Sequence, residues 1–107
     1  METTGQNFVS RLRALLGNRI GMQEIIFIKA LISDNDNSER VDCLFNLVDD
    51  DDKRVGYNAL WVLTHLHNDF MPAIVSHRDL LTDNLFNTDH TGKKRLILNL
   101  LERLPVN

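Results

Sequence analysis

Four histidines, His65, His67, His77 and His90, stand near Asp69, Asp79 and Asp89 in this chain of 107 residues. Histidine beside a carboxylate can pass a proton, and three such side chains converging on a point can hold zinc. The spacing argues against both. His65 and His67 are two apart at a predicted helix end, which aims them at different points. The chain has no HExxH, no CxxC pair, no glycine-rich phosphate loop and no nucleophile elbow. The expectation is surface histidines, with no catalytic residue, no metal and no cofactor.

Two charge clusters raise other chemistry. Asp49 to Asp52 followed by Lys53 spells DDDDK, but a calcium loop spreads its ligands over about 12 residues with a central glycine and a distal Glu. Four adjacent aspartates predict instead a solvated turn whose last members, Asp51 and Asp52, cap the following helix. Lys93, Lys94 and Arg95 open another predicted helix with the wrong sign for its dipole, which makes them an anion-binding candidate or a solvated cluster. Residues 36–70 carry Asp36, Glu39, Asp42, the four aspartates and Asp69 against Arg40, Lys53 and Arg54. That acidic middle disfavours a continuous phosphate track, so nucleic acid is not the expected partner. The single cysteine, Cys43, lies on the apolar side of its helix and reads as a small buried thiol.

These residues sit on a repeating frame. Lys53 to Leu66 gathers Val55, Ala59, Val62, Leu63 and Leu66 on one face of a helix. Asn18 to Leu31 aligns with it at an offset of 35, placing Arg19 on Arg54, Ile20 on Val55, Gly21 on Gly56 and Phe27 on Val62. Thr91 to Leu104 aligns at an offset of 38, placing Ile97, Leu98 and Leu101 on Ala59, Leu60 and Leu63. The intervening segments correspond too: Ser38 to Val48 matches Ser76 to Phe86, and Val9, Leu12, Leu15 and Leu16 echo Val41, Leu44, Leu47 and Val48. A period of this length marks a stacked array. The chain therefore reads as one domain of three two-helix units, about residues 7–33, 38–66 and 76–104. Gly17 and Asn18 are expected to end the first helix in a left-handed turn, and Ser38 to cap the third. The apolar link from Phe70 to Val75, with Pro72 able to start a helical turn, is expected to fold over the joint between units two and three, or across the last helix.

Val55, Ala59, Val62, Leu63 and Leu66 after an Asp-rich turn resemble the second helix of a HEAT repeat, V-R-x-x-A-x-x-A-L-x-x-L. Gly56 stands where that family usually has arginine, and Lys93 where it has valine. The resemblance implies an all-α, right-handed α-α superhelix of about three antiparallel hairpins. It also implies a scaffold or protein-binding platform, with the second helices lining the concave side. Some helical-repeat proteins are DNA glycosylases or lyases, so the alternative is a small lyase- or hydrolase-type enzyme or nucleic-acid-processing domain.

On that frame Tyr57 and Trp61 point away from the apolar face of their helix, and the corresponding positions are Met22 and Ile26 in the first unit and Arg95 and Asn99 in the third. Large aromatics with a polar handle are typical contact residues. Met22, Ile26, Tyr57 and Trp61 are therefore the partner-binding candidates, with Tyr57 expected to be the more exposed aromatic. The last helix, with Leu96, Ile97, Leu98, Leu100, Leu101 and Leu104, is apolar round more than half its circumference. A terminal repeat needs a polar outer face, so docking onto another protein or a homodimer through this helix is expected. With 43% hydrophobic and 25% charged residues, no apolar run near 18 residues and no charged-then-apolar leader, the chain reads as folded, cytoplasmic and not bound to a membrane.

Overall fold

A computed structural model of the chain describes residues 4–33, 39–66 and 70–104, with side chains from residue 8 onward. The described residues form seven helices and no strand: α1 (Thr4–Leu16), α2 (Met22–Ser33), α3 (Glu39–Val48), α4 (Lys53–Thr64), α5 (Met71–Ser76), α6 (Arg78–Asn87) and α7 (Thr91–Arg103). Ser38, His67 and Asp69 lie outside the described residues.

α4 is the hub. It packs against α1, α2, α3 and α7, and it can do so because Val55, Ala59, Leu60, Val62 and Leu63 are all buried within three turns. Each large aliphatic side chain taken fully out of water stabilises the fold by roughly 1.5–3 kcal/mol. Leu12 and Leu16 of α1, Ile28 and Ile32 of α2, Leu44 and Phe45 of α3, and Ile97 and Leu100 of α7 complete one continuous core. α1 and α2 meet the core through different neighbours, α1 on α3 and α4, α2 on α4. The two helices of the first unit thus hold together largely through the second.

Local chemistry sets the helix ends. The Oδ1 of Asp52 accepts from the Arg54 N–H at 2.9 Å, the cap expected of the acidic turn. Glu24 reaches back to the Gly21 N–H at 2.7 Å, half of a capping box at the start of α2. The left-handed turn expected at Gly17 and Asn18 does not form, for no described residue has a positive φ. Instead the Gly17 N–H donates to the Arg13 carbonyl at 3.0 Å and Asn18 Nδ2 to the Ala14 carbonyl at 2.9 Å. One backbone N–H and one side-chain amide take these free carbonyls of α1, which removes the need for a left-handed cap.

The link before α6 forms α5, with proline in its first turn and Ile74 fully buried, and it packs on α3 and α6. It lies across the joint between the second and third units, as expected. The principal neighbours of α7 are α4 and α6. They bury Ile97 and Leu100 and leave Leu98 exposed, with Leu96 and Leu101 at the core edge. His77, at the α5–α6 junction, ties the third unit to α3: its Nε2 lies 2.7 Å from Asp42 Oδ1 and its ring stacks on Phe45 with centroids 4.1 Å apart. No described helix is long and apolar enough to cross a membrane.

Candidate functional site

Tyr57 and Trp61 are one turn apart on α4, and both line an open cavity of about 400 Å³. Its other walls are Arg19 and Ile20 from the α1–α2 turn, Lys53, Arg54 and Asn58 from α4, and His90 from the start of α7. Asn58 is buried and donates through Nδ2 to the carbonyls of Leu16, at 2.8 Å, and Asn18, at 3.1 Å. It clamps the turn to α4 and so sets where Arg19 and Ile20 stand.

The two aromatics are half-buried. Trp61 packs against the core edge, and Tyr57 lies against the first turn of α7. A Cβ at Gly92 would stand 2.8 Å from Tyr57 Cε1, so only glycine lets the ring approach this closely. The His90 ring is 5.4 Å from the Tyr57 ring, and its Nδ1 accepts the Lys93 N–H at 3.1 Å, capping α7. Met22 and Ile26 are on α2, exposed by 51% and 62%. Phe27, whose repeat partner Val62 is buried, is itself 51% exposed. α2 is an edge helix whose Ile25, Ile28 and Ile32 side alone faces inward.

The basic cluster at the start of α7 divides. Lys94 and Arg95 are exposed, whereas Lys93 is half-buried and its Nζ donates to the Val48 carbonyl at 3.1 Å. Burial lowers the Lys93 pKa, opposed by the charge of Asp49. A cation at the C-terminal end of α3 is favoured by the helix dipole. In the acidic turn, Asp50 accepts two bonds from Arg13, at 2.8 and 3.0 Å. Arg13 and the Asp52 N–H hold its carboxyl below the usual aspartate range.

Among the described residues, no group of three His, Cys, Asp or Glu side chains could hold a metal ion. His90, at the cavity wall, serves as a cap, whereas His77 is paired with Asp42 outside the cavity. Cys43 is half-buried at the core edge rather than buried within it, and desolvation, then the charge of Asp42, raises its pKa.

A family profile described as HEAT repeat domain matches residues 12–107. The chain belongs to the HEAT-repeat family. No curated protein and no solved structure matches it.

Two departures from the usual HEAT pattern, Gly56 and Lys93, meet at one carbonyl oxygen, that of Val48. A Cβ at Gly56 would stand 2.6 Å from the Val48 carbonyl oxygen, which leaves no space for the family's arginine. The same oxygen accepts from Lys93 Nζ, of the next unit, at 3.1 Å. The cavity residues Arg19, Lys53, Arg54 and Asn58 went unrecognised in the sequence as site residues. One signal was available, since Arg19 and Arg54 occupy equivalent positions of successive units.

Proposed function

We propose that this HEAT domain is a protein-interaction module whose contact face comprises Met22 and Ile26 on α2 with Tyr57 and Trp61 on α4. The observation that carries the reading is the exposure of Met22, Ile26 and Phe27 on a helix whose neighbours cover only its inner side. Single exposed apolar residues are ordinary, whereas several on one helix mark an interaction surface. The half-buried aromatics of α4 would add large, rigid contact area to that face. A Met22→Ser, Ile26→Ser variant tests this. Capture of a stoichiometric protein by the wild-type chain, and its loss with a folded variant, supports the reading. Equal capture by both rejects this face.

The third unit favours a second reading, self-association through its outer end. Phe86 of α6 is 80% exposed and Leu98 of α7 is 47% exposed. Light scattering at rising concentration should then show a dimer that Phe86→Ser with Leu98→Ser dissociates. A monomeric mass throughout removes this reading.

A further inference from the structure

Resting on the interaction reading, we infer that the cavity beside α4 takes an acidic segment of a partner protein. Its carboxylates meet Arg19, Lys53 and Arg54, and its apolar residues lie against Trp61 and α2.

Three cations line this cavity and no carboxylate does. That is notable in a chain of net charge −3 whose run of four aspartates immediately precedes Lys53. Two members of the run are engaged elsewhere: Asp50 is held by Nε and Nη2 of Arg13, and Asp52 accepts from the backbone at the start of α4. Among the described residues, no ion pair joins Arg19, Lys53 or Arg54 to an acid. Three like charges on one concave surface repel one another, and a bound anion relieves that repulsion. Two of them are arginines, whose planar forks suit carboxylates bound through two parallel hydrogen bonds.

The apolar half of the site selects a peptide over a bare anion. Trp61 and Ile20 share the cavity with the cations, and α2 begins two residues after Ile20 with Met22 and Ile26 exposed on successive turns. A free phosphate would use only the cations. A nucleic-acid backbone needs a longer cationic track than the three side chains of this cavity provide. A peptide that alternates carboxylates with aliphatic or aromatic residues satisfies both halves.

Trp61 is the chain's only tryptophan, so its emission reports on this cavity. Random short peptides displayed on phage are selected against the full chain, and the winners are titrated while Trp61 fluorescence is followed. The expected winners are rich in Asp and Glu beside apolar residues, and their binding weakens with added salt. The Arg19→Glu, Arg54→Glu variant should lose about tenfold or more in affinity, and Met22→Ser with Ile26→Ser should also weaken binding. Winners that are neutral or basic and indifferent to the arginine reversal overturn the inference. If those same winners are lost on Met22→Ser with Ile26→Ser, the interaction face itself still stands. Inorganic phosphate that shifts Trp61 emission at lower concentration than the peptides assigns the cavity to a small anion and overturns it. Failure to select any peptide overturns it as well.

Discussion

The side-chain amide of Asn58 reaches from the middle of α4 to the carbonyls of Leu16 and Asn18, and both bonds cross the turn that carries Arg19. Removing a buried donor leaves its acceptors desolvated and unpaired. Asn58→Ala should therefore cost about 1–3 kcal/mol in denaturant unfolding, and it should weaken ligand binding at the cavity by releasing the turn. Gly56 is constrained in a different way. The oxygen a Cβ would meet belongs to the Val48 backbone at the end of a packed helix, and it cannot step aside as a flexible side chain could. Gly56→Ala normally favours a helix interior, yet here it should destabilise by about 1–3 kcal/mol, read as a lower denaturation midpoint. An unchanged or raised midpoint would show that α3 and α4 can separate without loss.

At the scale of elements, the acidic turn joins α3 to α4 and also reaches α1 through Arg13 and Asp50. The Asp50 pKa is lower folded than unfolded, first because of the Arg13 hydrogen bonds and then because of the Asp52 N–H. The sign follows from proton linkage. A carboxyl with a depressed folded pKa contributes stability that is fully present above its unfolded value, about 3.9, and is lost as pH falls through the folded value. The expected outcome is a drop in unfolding midpoint below that unfolded pKa which is smaller in Asp50→Asn, with the two proteins sloping alike near neutral pH. Parallel curves through the acid range would mean that the pair contributes nothing in solution, a common result for exposed ion pairs.

For the molecule as a whole, the asymmetry of its ends matters more than its length. α4 meets four helices, while α2 has one principal neighbour and keeps three large apolar residues in water. Stability and recognition should therefore separate cleanly. Leu60→Ala in the fully buried centre is expected to cost about 2–5 kcal/mol. Met22→Ser with Ile26→Ser is expected to change unfolding free energy by no more than about 0.5 kcal/mol per site, while altering what the domain captures. A large loss of stability in the α2 variant would show that these side chains are covered in solution.

The helical class, the repeat frame and most of the core are written in local pattern, because apolar residues spaced by three and four leave a helix one face to bury. Val55, Ala59, Val62 and Leu63 could be placed inside from spacing alone, and Asp52 at a helix start from its charge. Position in the stack is not local. Phe27 and Val62 occupy equivalent positions of successive units, yet one is exposed and the other buried, since only an interior helix has neighbours on both sides. Tertiary structure alone turned Lys93 inward to a carbonyl 45 residues away and pressed Tyr57 onto Gly92. It also brought Arg19 beside Lys53 and Arg54 around one cavity. Each of these depends on a contact between segments far apart in the chain, and periodicity along a single helix carries no information about what that helix will meet.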